Sequence, residues 1–282
     1  MTYKTLMVHL QLGTTNVPLL QAAVALARQF DACTVGIAAC QPLQIVYGDG
    51  YVSGELYEQD RLQTRQRLQA AEDEFQTAMQ GQVPDAAWRS TVTYAAPADY
   101  LAEQARCADL VLTGSPATPG ATSEGDLFGP SRAVNTSDLV MRVGRPVLRV
   151  PNAHGPLKLA RVVVAWKDTR EARRAVADAL PLLKRAAYVA VIAVAPNGGL
   201  DAANLQLKDV AAWLLAHGVQ CEVMVSLATG NDGNALYTLA QDVGADVMVA
   251  GAYGHSRLRE WALGGVTRDL LLGGERCAFL SH

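Results

Sequence analysis

Apolar residues follow two rhythms along the chain, and the rhythms alternate. Short runs rich in apolar residues, as strands buried on both faces show, alternate with longer stretches whose apolar positions recur every three or four residues. The run at 5–10 is followed by helical spacing over 17–30, where Leu20, Val24, Leu26 and Ala27 share a face. A strand is predicted at 33–39, a long helix at 56–79, a strand at 88–94 and a short helix at 97–106. In the long helix Leu62, Leu68 and Phe75 are expected toward the sheet, with Gln, Arg and Glu in water. Then come a strand at 108–114, a helix at 131–143 and a strand at 146–150.

Two prolines and a glycine within 151–156 break the pattern, and the same order then repeats. Strands are predicted at 161–166, 188–194, 219–226, 245–251 and 277–280, with helices at 170–184, 201–217 and 234–243. Locally, Ala108-Asp-Leu-Val-Leu-Thr-Gly114 aligns with Ala245-Asp-Val-Met-Val-Ala-Gly251. The recurring Asp109 and Asp246 imply a shared structural contact, expected at a turn or a helix end. A repeat of roughly 130–150 residues is a duplicated domain rather than a solenoid. The expected architecture is α/β: two tandem doubly wound domains, 1–151 and 157–282, each a parallel sheet with helices on both faces. Ligands of such sheets sit beyond the carboxyl ends of the strands, where the strand order reverses.

Composition removes several classes of function. Half of the 282 residues are hydrophobic and 18% are charged, as in a globular chain. A net charge of −3 gives no electrostatic case for nucleic acid or an anionic membrane. No apolar run approaches the roughly 18 residues of a membrane span. The first ten residues lead straight into a strand without a signal-peptide core, so a soluble cytoplasmic protein is expected. The five cysteines contain no C-x-x-C pair and the five histidines no H-x-x-x-H pair, so neither disulfides nor a metal site is predicted. The cysteines read as small buried thiols and Trp166, Trp213 and Trp261 as packing residues. No nucleophile elbow, Walker loop or paired-carboxylate signature is present, so no catalytic residue is assigned.

The stretch 245–271 carries the chemistry. An apolar strand ends at Gly251; Gly254 follows, then nine residues, then Gly264-Gly265-Val266-Thr267 opening a predicted helix. Glycines between a strand and a helix start let backbone N–H groups approach an anion. Any one of them alone is more readily explained by a turn that needs positive φ; it is the spacing of all four between a strand and a helix that favours a phosphate site. Taken with the duplicated α/β pattern, Gly251-Ala-Tyr-Gly254-x9-Gly264 resembles the Gly-x2-Gly-x9-Gly-Ser/Thr motif of universal stress proteins, and the whole chain resembles two such domains in tandem. The resemblance implies five parallel strands in the order 3-2-1-4-5 in each domain. It also implies an intrachain pseudo-dimer joined near Val147 and Phe279, with assembly into a homo-oligomer left open.

In the second domain the resemblance implies ATP or a related adenine nucleotide, with Mg2+ undetermined. Phosphates would rest on Gly254, Gly264, Gly265 and Val266 with the Thr267 hydroxyl, ribose against Gly251, and adenine near Ala165 and Val194. Two positions depart from the motif. Gly265 stands where the family has a hydroxyl, and Lys167 where it has an acid. Asp168 restores the carboxylate by a one-residue shift; alternatively Lys167 meets phosphate or is merely solvated. After Gly114 the first half lacks the glycine spacing, and Gln11-Leu12 replaces the acid, so that half reads as degenerate for nucleotide. The implied role is a stress-response binding module that changes conformation or protein partners. Its rivals are a nucleotide-free scaffold and a slow ATPase.

Overall fold

A computed structural model describes residues 2–43, 54–115, 132–152, 159–228, 232–252 and 276–282. In the first half, β1 (Thr5–His9), α1 (Val17–Phe30), β2 (Cys33–Cys40), α2 (Gly54–Met79) and β3 (Ala86–Val92) are followed by α3 (Pro97–Gln104), β4 (Leu110–Gly114), α4 (Thr136–Arg142) and β5 (Val147–Val150). The second half runs β6 (Arg161–Trp166), α5 (Arg170–Leu183), β7 (Tyr188–Ala195), α6 (Leu200–Ala216), β8 (Glu222–Leu227), α7 (Asp232–Asp242), β9 (Val247–Gly251) and β10 (Cys277–Ser281).

All ten strands form one sheet in the order β3-β2-β1-β4-β5-β10-β9-β6-β7-β8. Each half has the expected order 3-2-1-4-5 and is parallel throughout. The halves meet where they were expected to, through the one antiparallel pairing of the described strands, β5 with β10, which sets Phe279 opposite Leu148. Apolar cores on both faces run across this seam. One joins Leu20 and Leu26 to Ala175, Ala179 and Phe279, and the other joins Met7 and Val147 to Val163 and Leu280.

Local chemistry explains the boundaries. Asp31, in the left-handed region at φ 51°, ends α1. Asn135 starts α4 by accepting from the amides of Ser137 and Asp138, which places the helix start later than the predicted 131. Gly218, at φ 81°, turns the chain after α6, and β8 starts at Glu222 rather than 219. β3 spans two residues earlier than predicted, pairing from Ala86 opposite Thr34 to Val92 opposite Cys40, with Trp88 packed over Gly36 and 5.7 Å from Phe75.

Three expectations are corrected. Leu62 is exposed, since the buried stripe of α2 is Asp60, Thr64, Ala71, Phe75 and Met79, with Leu68 half-buried beside it. Trp213 is partly exposed and stacks on His217 rather than on the core. Asp109 and Asp246 serve neither a turn nor a helix end: each holds two amides where a first strand begins. Asp109 Oδ2 accepts from Lys4 N and Thr5 N at 2.7 and 3.0 Å, and Asp246 Oδ2 from Ala160 N and Arg161 N at 3.0 and 2.9 Å. Among the cysteines, Cys40 and Cys277 are buried and Cys107 is exposed. Burial pushes the Cys40 and Cys277 thiols up to about 11 and about 12. No described helix is long and apolar enough to cross a membrane.

Candidate functional site

The shared aspartate contact superposes Thr5 on Arg161, and with it the two switch points, β1/β4 and β6/β9. His9 then corresponds to Ala165, Gln11 to Lys167, Thr113 to Ala250, Gly114 to Gly251 and Ser115 to Ala252. Strand register agrees, since His9 pairs with Thr113 and Ala165 with Ala250. The two crevices can therefore be compared residue by residue.

In the first half the switch point is bridged by polar side chains. His9 Nδ1 and Thr113 Oγ1 share a hydrogen bond of 2.9 Å, both buried. Gln11 Nε2 donates to the Ser115 carbonyl at 2.7 Å, joining the ends of β1 and β4. Asn16 ties the following loop to α2, accepting from Gln11 N and donating to Glu74 Oε2 at 3.0 Å. Beside the end of β2, Arg132 donates to Asp60 at 2.5 and 3.0 Å and to the Gln41 carbonyl at 2.9 Å, while Asp60 also accepts from Leu43 N. This ion pair is buried on both sides. Burial holds His9 down at about 4, so its imidazole is neutral across the physiological range.

The second half presents small side chains at the same positions. Ala165 lies between Ala250 and Ile192, and Ala252 follows on the same face. Val194, near the end of β7, is half-buried against this face. Ala165 and Val194 are thus brought together as expected. Gly251 lies beside them but faces the other way, toward α5. A Cβ there would sit 2.4 Å from Ala172 N and 2.5 Å from Glu171 C. Its φ is not positive, so close approach of helix backbone, not a left-handed turn, is what requires glycine at this position. Among the described residues, a Cβ at Gly114 would meet nothing nearer than the Gln11 side chain at 3.5 Å.

Asp168 does not face the crevice floor. It is partly exposed and pairs with Arg173 at 2.6 Å, just before Thr169 caps α5 by accepting from Ala172 N. Lys167 is exposed at the mouth. Gly254, Gly264, Gly265, Val266 and Thr267 lie outside the described residues, as does Trp261.

Sequence reasoning passed over Glu171, buried in the first turn of α5 against Gly251 and paired with Arg170 at 2.9 Å. Burial alone would raise its carboxyl, but its own backbone amide, Arg170 and Thr169 bring it below the usual carboxylate range. The Thr-Arg-Glu order at a helix start was the available signal. His9 was visible as a ring at a position where the repeat has alanine. Among the described residues no group of three or more His, Cys, Asp or Glu is placed to hold a metal.

No protein-family model and no curated protein sequence matches the chain. Solved structures do. A universal stress protein from Archaeoglobus fulgidus DSM 4304 superposes with a TM-score of 0.70 at 13% identity, covering 98% of this chain and 97% of that one. A protein described as a universal stress protein from Pseudomonas aeruginosa UCBPP-PA14 gives 0.63 at 13% identity, over 99% and 93%. A protein of unknown function from Pseudomonas aeruginosa PAO1 gives 0.57 at 14%, over 99% and 92%. The chain thus has, over its whole length, the fold of these universal stress protein structures.

Proposed function

We propose that the chain is a cytoplasmic stress-response binding module of two domains, 1–151 and 157–282, that holds ATP or a related adenine nucleotide in the second domain only. One observation carries the restriction to a single site. At equivalent places the first half has His9, Thr113, Gln11 and Ser115 bonded across the switch point, and the second half has Ala165, Ala250 and Ala252. Three methyl groups leave room at a strand end, and the glycine-spaced stretch begins there.

On this reading Ala165 and Val194 form the apolar wall for the base, and Gly251 brings backbone close to the sugar. Gly254, Gly264, Gly265, Val266 and Thr267 supply phosphate donors. Lys167, exposed at the mouth, adds positive charge, while Asp168 is engaged by Arg173. Binding changes conformation or protein contacts; among the described residues of the crevice none is placed to position water for hydrolysis.

Equilibrium dialysis with labelled ATP tests this reading. Saturable binding of one nucleotide per chain is expected, weakened by Gly254→Val. Two per chain would contradict the closure of the first half. No saturable binding at millimolar ATP would remove the nucleotide reading and favour the scaffold, for which the pairing of Asp168 with Arg173 is the supporting observation.

A further inference from the structure

The outer strands of the sheet, β3 and β8, end it in different ways. Each turns the backbone groups of every second residue away from its neighbour. In β3, Thr93 N donates to the Cys40 carbonyl, so Ala86, Trp88, Ser90 and Val92 point theirs outward. In β8, Ala228 N donates to the Ala195 carbonyl, so the outward residues are Val223, Val225 and Leu227. Among the described residues, the one bond to these outward groups of β8 is from Ser226 Oγ to the Leu227 carbonyl, at 3.4 Å.

Side chains separate the two edges further. β3 carries Arg89, Ser90 and Thr91 in its middle, with Arg89 held on Gln104 Oε1 at 2.7 Å. A charge in the middle of an edge opposes pairing with another chain. β8 reads Glu-Val-Met-Val-Ser-Leu, and its charged residue stands first, where Glu222 accepts from Tyr188 Oη at 2.8 Å. Val223 and Leu227 are 39% and 41% exposed, and Val225 is half-buried. By strand alternation these three side chains share one face, the face on which Val225 packs into the core that holds Leu207, Val210 and Leu214 of α6. Leu215 of α6 faces α5, lining a depression with Leu183 and Lys184. Trp213, about 200° round the helix from Leu215, therefore lies on the flank beyond β8, where it is partly exposed.

Antiparallel self-pairing suits β8 in one register. A two-fold axis at Val225 sets Val225 opposite Val225 of a second copy and Val223 opposite the Leu227 of that copy, all of them residues with outward backbone groups. The exposed valine and leucine of each copy then cover each other. On the other face Met224 meets Ser226 and Glu222 meets Ala228, so no like charges are opposed. In β3 the register that uses all four outward residues sets Arg89 opposite Arg89, which like-charge repulsion disfavours. The chain already closes two edges in this manner, through the antiparallel pairing of β5 with β10.

We infer that β8 is a docking edge for a second copy of this chain, joined as an antiparallel β8–β8 pair with α6 and Trp213 of each copy flanking the seam. The contact is the same patch on both copies, so it closes at a dimer and leaves the arginine-bearing β3 edges at its two ends.

Sedimentation equilibrium of the full chain tests the inference. Wild-type protein is expected to be dimeric in the micromolar range. Val223→Lys and Leu227→Lys, at exposed positions, are each expected to melt near the wild-type temperature and to weaken the dimer at least tenfold, whereas Val92→Lys on the β3 edge leaves it unchanged. The register is read by cross-linking in a background carrying Cys33→Ser, Cys107→Ser and Cys221→Ser. There Val225→Cys is expected to form an intermolecular disulfide under mild oxidation, since paired residues of this kind have Cα atoms about 5.5 Å apart, within disulfide range. Adding Leu227→Lys should abolish that cross-link. A wild-type chain that stays monomeric up to millimolar concentration overturns the inference, as does a dimer that folded Val223→Lys and Leu227→Lys proteins leave intact. Should both lysine variants fail to fold, the Val225→Cys cross-link decides: its formation supports the seam, and its absence in a dimeric protein overturns it.

Discussion

Substituting Gly251 and Gly114 by alanine makes a matched experiment inside one chain, because the two glycines end equivalent strands. At Gly251 the added methyl would lie 2.4 Å from Ala172 N, 2.5 Å from Glu171 C and 2.9 Å from Ala172 Cα. These are backbone atoms in the first turn of α5, a helix whose Ala175, Val176, Ala179, Leu182 and Leu183 are buried. Relief requires α5 or β9 to move by about 1 Å, and overpacking of this kind costs about 1–3 kcal/mol or somewhat more. The upper end is expected because no rotamer change can relieve a backbone clash. At Gly114 the nearest atom is Gln11 Cδ at 3.5 Å, an ordinary contact. That substitution should stay within about 0.5 kcal/mol, helped by the lower entropy of an unfolded chain with alanine. Urea unfolding measures both, and the predicted gap of about 3 kcal/mol corresponds to roughly 6–12 °C in Tm. Ala172→Gly should not rescue Gly251→Ala, since the atoms met remain. Equal stabilities of the two variants would refute the close approach of α5 to β9, and with it the explanation of Gly251.

The buried pair Arg132–Asp60 should behave as a unit: Asp60→Asn or Arg132→Met alone leaves a charge without its partner and costs about 3–5 kcal/mol, whereas Asp60→Leu with Arg132→Met recovers most of the loss. Additive single effects in urea unfolding would disprove the coupling. His9 gives a pH signature. Its folded pKa of about 4 lies below the ordinary value near 6.5, so the unfolded chain binds the extra proton; the stability it supports is complete above about pH 6.5 and is lost as pH falls toward about 4. The loss is on the order of 3 kcal/mol, and His9→Gln, which can keep a bond to Thr113, should flatten the difference between pH 7 and about 4.5. An unchanged pH profile in that variant would contradict a neutral buried imidazole.

Strand and helix order was legible because each half alternates apolar runs with helical spacing, and a parallel, doubly covered sheet needs that alternation. Even the joint at Val147 and Phe279 followed from the resemblance. What periodicity could not supply was the polar interior. Asp60 and Thr64 in α2 were not among the residues expected to face the sheet, yet both are buried, and Arg132, some 70 residues later, bonds to them. Leu62, read as core, is exposed: the stripe that faces inward runs through Asp60, Thr64, Ala71, Phe75 and Met79, and position 62 does not fall on it. Gly251 shows a second limit. A glycine at a strand end announces close approach, but only coordinates reveal that the approaching group is the backbone of α5.

The fusion of two sheets changes what a residue at the joint can do. An isolated domain of this order would leave its last strand at an edge, where unpaired backbone groups and a charged side chain both find water, and where charge guards against pairing with other chains. Here β5 and β10 close each other's edges, leaving β3 and β8 as the outer strands of the sheet. Arg149 therefore sits at a position where an edge arginine would be cheap and a central one is expensive. Its counterpart Leu280 shows the inexpensive solution in the same chain. An arginine in such a place donates to Ser115 Oγ in its own half and to the Arg276 carbonyl in the other, and these bonds offset part of the cost of burying it. The duplicated chain thus treats its two halves differently: polar side chains close one switch point, and alanines stand at the equivalent places of the other.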